Sequence, residues 1–207
     1  MKKIIIIGAG GHGQVVADAL FQMEDADPVA FLDENPEVIG KKVMGIPVPG
    51  GNAALAEIKH DGIVVALGNN SLRKRIFDEL TDAGETLFTV IHPYAIIAPN
   101  VKVGKGCMIL AGAVINTGAK IKDNTIINTN ATIEHHNVIG PHSHVAPGST
   151  LGGEVVVGEE SMVGIGATVL PRIKIGNNSM LGAGAVAIHS IPDRKTAVGI
   201  PACTLES

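Results

Sequence analysis

The chain has 207 residues, 45% of them hydrophobic, enough to bury a core without disulfide or metal support in one domain or two small ones. Its 16 basic and 20 acidic side chains leave a net charge of −4, which argues against a general polyanion binder. The five aromatic residues (Phe21, Phe31, Phe77, Phe88 and Tyr94) all precede residue 95, which excludes single-stranded nucleic-acid binding by stacked aromatics in the second part. The apolar run at residues 4–7 is too short for a signal peptide or a membrane span. Cys107 and Cys203 are lone cysteines without CxxC spacing, which fits a reducing compartment. A cytoplasmic protein with no nucleic-acid partner and no membrane insertion is expected.

The first 90 residues alternate strand-like and helix-like segments. Residues 2–7 read as a buried strand, 13–23 as a helix and 29–32 as a second strand. GIVVAL at 62–67 reads as a further strand, and 71–83 as a helix with Ser71 as N-cap. Leu72, Ile76, Phe77 and Leu80 form the apolar face of that helix, and 86–90 is a candidate last strand. This alternation predicts an α/β domain, a small Rossmann-like parallel sheet, over residues 1–90.

From Ile97 the grammar changes. Stepping by six gives Ile97, Val103, Ile109, Ile115, Ile121, Ile127, Ile133, Ile139, Val145, Leu151, Val157, Val163, Val169, Ile175 and Leu181, all aliphatic and without an insertion. Three positions after each aliphatic residue stands Gly or Asn in ten of fifteen cases, residues that tolerate positive φ. The next position is often small, as at Cys107, Ala113, Ala131, Ser149 and Ala185. Short strands, tight corners and an inward aliphatic column predict a three-sided parallel β-helix over residues 91–207, including its C-terminal tail. An irregular β-sandwich needs a two-residue alternation that the segment lacks.

Gly8, Gly10 and Gly13 form GxGxxG between the first strand and the first helix, where backbone amides and the helix dipole favour a pyrophosphate. Asp33, 20 residues after Gly13, could accept a hydroxyl or amide proton. Alone, this motif suggests an NAD(P)-type dinucleotide, but about 90 residues is short for a two-halved dinucleotide fold. Four of eight histidines, His135, His136, His142 and His144, fall within ten residues. Imidazole is a common metal ligand. However, His135 and His144 are nine residues apart in an 18-residue coil and so lie on different sides, and no metal is expected. A neutral imidazole with a pKa near 6.5 is suited to take a proton from an attacking amine.

The continuous hexad repeat, together with GAGGHG (8–13), FLDE (31–34), ALGNNSLRKRI (66–76), NTNATIEHHNVIG (128–140), HSHVAPGSTLGG (142–153) and VGIPA (198–202), resembles one group of bacterial enzymes. These are the left-handed β-helix sugar acetyltransferases with an N-terminal nucleotide-sugar domain, of the bacillosamine and perosamine type, related to sialic acid O-acetyltransferases. The resemblance implies acetyl-CoA as co-substrate, a nucleotide-linked amino sugar as acceptor in surface glycan synthesis, and a homotrimer with CoA between subunits. It implies catalytic roles for His135 as base, with Glu134 and His136 beside it. Many relatives have Glu where His136 stands, so Glu134 is the nearest carboxylate that could orient the base. Gly10, Gly11, His12, Asp33, Glu34 and Gly68 match acceptor-binding positions, and His144, Ile165 and Ala183 match positions along acetyl-CoA. Cys203 replaces the usual basic residue after VGIPA, which leaves Arg194 or Lys195 for the CoA phosphates. Transfer to a sugar hydroxyl, and a nucleotide-sensing β-helix without catalysis, stand as the alternatives.

Overall fold

Ile4 to Ile7 are all buried, as a strand covered on both faces of a parallel sheet requires. In the computed structural model, which describes residues 1–205, they belong to β1 (Lys2–Ile7). It is followed by α1 (Gly11–Phe21), β2 (Ala26–Leu32), a small antiparallel hairpin of β3 (Lys42–Val43) and β4 (Ile46–Pro47), β5 (Gly62–Val65) and α2 (Asn70–Asp82). The chain divides into two units, Met1–Pro93 and Tyr94–Ser207.

In the first unit β1 is the central strand, flanked in parallel by β2 and β5. Alternation along the strands sends Ile5, Ile7, Ala30, Leu32, Ile63 and Val65 into one cluster with Ile76 and Leu80 of α2. Phe31 points to the other face, where a Cβ on Gly13 of α1 would lie 3.5 Å from its ring. The second strand is longer than expected. Of the stretch expected as a last strand at 86–90, Leu87 makes an isolated bridge to Ile63, with Ile63 N–H donating to Thr86 O and Phe88 N–H donating to Ile63 O, and Val90 opens a two-residue strand, Val90–Ile91. The helix cap also differs. Asn69, not Ser71, is the N-cap of α2, and its Oδ1 accepts the Leu72 N–H at 2.9 Å. The phase of α2 follows, with Arg73 on its buried face and Leu72 turned outward.

The second unit is a left-handed parallel β-helix of two-residue strands. Strands pair with those 18 residues on, as Val114–Ile115 with Thr132–Ile133, Lys120–Ile121 with Val138–Ile139 and Ile126–Ile127 with His144–Val145, until the shorter last coil, where Met180 pairs with Thr196. Three flat parallel sheets result. From Ile109 to Leu181 every residue of the aliphatic column is buried, while Ile97 and Val103 in the first coil are partly exposed. Every third residue after a column member has positive φ from Gly106 to Gly184, including His136, His142, Glu154, Glu160 and Arg172, so the corner imposes the left-handed conformation even on unfavourable side chains. Asn100 is the exception; its Oδ1 instead accepts from Thr117 Oγ1 and Gly118 N–H. No helix among the described residues is long and apolar enough to cross a membrane.

Candidate active site

The glycine loop joins β1 to α1. Gly8 takes φ +104° beside Ala66 and Leu67, and a Cβ on Gly13 would stand 1.8 Å from Gly8 O, so helix and strand approach closer than any side chain allows. Gly10 and Gly11 are different: both are exposed, and a Cβ on either would meet nothing within 4 Å. Gly10 caps α1 without a side chain, and the first turn carries no acidic residue, so the positive end of the helix dipole is open to an anion.

The acidic residues of this region are committed locally. Asp33 Oδ2 accepts the Ala9 N–H at 2.7 Å and Oδ1 accepts the Asn35 N–H at 2.9 Å, so its carboxylate ties β2 to the glycine loop. Glu34 Oε1 accepts the Asn52 N–H. Both still border a cavity of about 410 Å³ at the carboxyl ends of the strands, with Gly8, Leu67, Leu72 and Arg75 on its other walls. That is where open α/β sheets bind ligands. Gly68 is exposed in the turn beyond β5, and Arg73 holds that turn, donating from Nη1 to Leu67 O and from Nη2 to Asn70 Oδ1. Burial, reinforced by the charge of Arg73, pushes the His12 imidazole down to about 4, so His12 is neutral near pH 7. Arg73 escaped the sequence reading, although a cation on the helical spacing of Ile76, Phe77 and Leu80 was a visible signal.

The four clustered histidines separate into two pairs. His142 and His144 are buried, and Asn124 and Asn128 stand 2.8 Å from His142 Nδ1 and 3.0 Å from His144 Nε2. With the Asn128 amide as donor, the Nε2 lone pair of His144 is occupied. His135 and His136 are exposed at the corner after Thr132–Ile133. Their Nδ1 atoms lie 3.1 Å apart with the rings nearly perpendicular at 76°. One ring must donate to the other. If His135 Nδ1–H donates, its Nε2 carries a lone pair, the form a general base needs. His136, with a left-handed φ of 59°, accepts when its Nδ1 is unprotonated.

Glu134 Oε1 accepts from Asn116 Nδ2 at 3.1 Å and its Oε2 from the His135 backbone N–H at 3.3 Å, so the carboxylate braces the corner. Ile165 and Ala183 occupy the same corner position in successive coils, both exposed, with Gly184 N–H donating to Ile165 O. That corner follows the sheet of His144, whereas His135 follows a different sheet. Among the described residues no three His, Cys, Asp or Glu side chains converge to hold a metal ion. Cys107 is buried, which pushes its thiol up to about 12, so it is no nucleophile.

A parallel sheet with an anion-ready glycine loop, followed by a β-helix bearing an exposed histidine pair at one corner, defines a two-part β-helix acyltransferase. Comparison with known proteins agrees. The family model described as the PglD N-terminal domain matches residues 3–80, and that of the GMPPB C-terminal domain matches residues 86–186. A UDP-N-acetylbacillosamine N-acetyltransferase of Bacillus subtilis is 40% identical over 113 residues, 54% of this chain and 52% of that protein, so the match spans about half of the relative's length. PerB from Caulobacter crescentus, solved with CoA and GDP-perosamine, is 37% identical with a TM-score of 0.92, covering 100% of this chain and 98% of that one. The acetyltransferase domain of PglB from Neisseria gonorrhoeae, solved with acetyl coenzyme A, is 37% identical with a TM-score of 0.94 and 99% coverage of each chain. The chain belongs to the bacterial acetyl-CoA-dependent N-acetyltransferases of nucleotide amino sugars.

Proposed function

We propose that this protein transfers the acetyl group of acetyl-CoA to the amino group of a nucleotide-linked sugar, with His135 as general base. The observation that carries this reading is the exposed His135–His136 pair, its Nδ1 atoms 3.1 Å apart. In the reaction the sugar nitrogen attacks the thioester carbonyl while His135 Nε2 takes its proton. The tetrahedral intermediate then expels CoA thiolate, the C–S bond breaks, and the imidazolium returns the proton to sulfur. His135 Nδ1–H donates a hydrogen bond to His136 Nδ1, which holds the tautomer that keeps the Nε2 lone pair available. Glu134 supports the corner on which the pair stands.

The N-terminal domain, residues 1–90, takes the nucleotide. The diphosphate lies at the glycine loop against Gly10, Gly11 and neutral His12, and the rest of the nucleotide fills the cavity bordered by Asp33 and Glu34 near Gly68. The β-helix, residues 91–207, takes acetyl-CoA along the exposed Ile165–Ala183 corner beside His144. That corner and the histidine pair stand on different edges of the prism. A homotrimer that sets one chain's histidine corner against another's acyl-CoA corner completes three equivalent sites. Both cysteines are free thiols, in keeping with a cytoplasmic setting where acetyl-CoA and activated sugars are made.

The test is free-thiol release from acetyl-CoA with a panel of UDP-, GDP- and dTDP-linked amino sugars and their hydroxyl counterparts. Turnover with at least one amino sugar and none with its hydroxyl analogue is expected. Turnover with the hydroxyl series alone would replace N-acetylation by O-acetylation, and silence throughout with melting shifted by NAD would move the protein to the dinucleotide class.

A further inference from the structure

The imidazoles of the pair lie where the adjoining coils carry no side chain. A Cβ on Gly153, one coil beyond His135, would stand 2.4 Å from both Cε1 and Nε2 of the His135 ring. A Cβ on Gly118, one coil before His136, would stand 2.6 Å from Cδ2 and 3.0 Å from Nε2 of the His136 ring. The corner itself does not demand glycine at 153. Gly153 is outside the left-handed region, and the same corner position in neighbouring coils carries Thr117 and Pro171. At the Gly118 position the later coils carry His136, Glu154 and Arg172, all in the left-handed conformation. The turn therefore does not require glycine at 153, and at both positions the missing side chain leaves room for the ring that lies against it.

We propose that Gly153 and Gly118 are positioning residues for acetyl transfer, forming a slot that holds the two imidazoles at their 3.1 Å contact. The slot fixes where His135 Nε2 meets the amine. The inference rests on the reading of His135 as the base. An added methyl at 153 must push the ring by about 1 Å, the gap between 2.4 Å and the 3.4 Å of ordinary contact. A misplacement of that size lowers turnover by about 10²-fold in well-positioned sites.

Gly153→Ala, assayed by thiol release with the accepted amino sugar, should lower kcat by about 10–10²-fold with both KM values and the melting temperature little changed. In a His135→Ala background the same substitution should cost nothing further, because the ring it displaces is gone. Gly118→Asn places there a residue the fold already uses in this conformation at Asn124, Asn130 and Asn178, and should also lower kcat without unfolding the chain. Full activity in both glycine variants, or a Gly153→Ala loss undiminished in the double variant, overturns the proposal. Loss of the fold in Gly153→Ala would make that glycine structural and overturn it there. Near wild-type turnover in His135→Ala alone would instead remove the base assignment beneath it.

Discussion

His12 should make the N-terminal unit sensitive to mild acid, and the size of the effect follows from its surroundings. Burial and the nearby Arg73 charge hold its imidazole at about 4 in the folded chain, against 6.5 for a solvated histidine. Between those values the unfolded chain binds a proton that the folded chain refuses, so stability falls as pH drops from about 6.5 toward 4. At 1.36 kcal/mol per pH unit the full loss approaches about 3 kcal/mol, of which about 2 kcal/mol is lost between pH 7.5 and pH 5. His60 works in the opposite direction. Burial opposes its charge, but contacts with Ile58 O and Glu85 outweigh this and raise its pKa, so its contribution is present at low pH and lost as pH rises. His12→Gln removes the first effect and leaves the second. Urea unfolding at the two pH values, followed by circular dichroism at 222 nm, reports on the right unit, because both α-helices of the described residues precede Pro93 and the chain has no tryptophan. The wild type should lose about 2 kcal/mol more than His12→Gln between pH 7.5 and 5. An equal loss in both proteins would refute the buried neutral imidazole.

His135→Ala should reduce kcat by about 10²–10⁴-fold with little change in either KM, and steady-state kinetics should show partial recovery near pH 9, where an amine substrate arrives deprotonated. A hydroxyl acceptor would give no such recovery. Gly11→Val should raise the KM for the nucleotide sugar and leave that for acetyl-CoA unchanged, since the free protein has room for the side chain and only a bound diphosphate competes for it. Parallel loss of both affinities would assign the loop another role.

The six-residue period of aliphatic residues was sufficient to establish the coil. Each hexad needs only its own strand, corner and inward residue, and the repeat then stacks with itself. GxGxxG was equally legible, because a tight strand-to-helix turn is a local event, and the 1.8 Å approach of a Gly13 Cβ to Gly8 O is its direct consequence. Side-chain partners were not legible. Glu134 reaches Asn116, 18 residues away, because coil stacking sets them side by side, and no neighbour in sequence announces that pairing. His135 and His136 meet at an exposed corner, whereas His142, at the equivalent position of the next corner and with the same positive φ, is buried beside Asn124. The phase of α2 likewise waited for the sheet. Periodicity alone allowed Leu72 inside, but packing against Ile5, Ile7 and Ile63 rotated Arg73 inward and gave its guanidinium the Leu67 carbonyl. The sequence carried the backbone path through local conformational preference, while the identity of each site's neighbours depended on contacts between residues many positions apart, which only the packed chain creates.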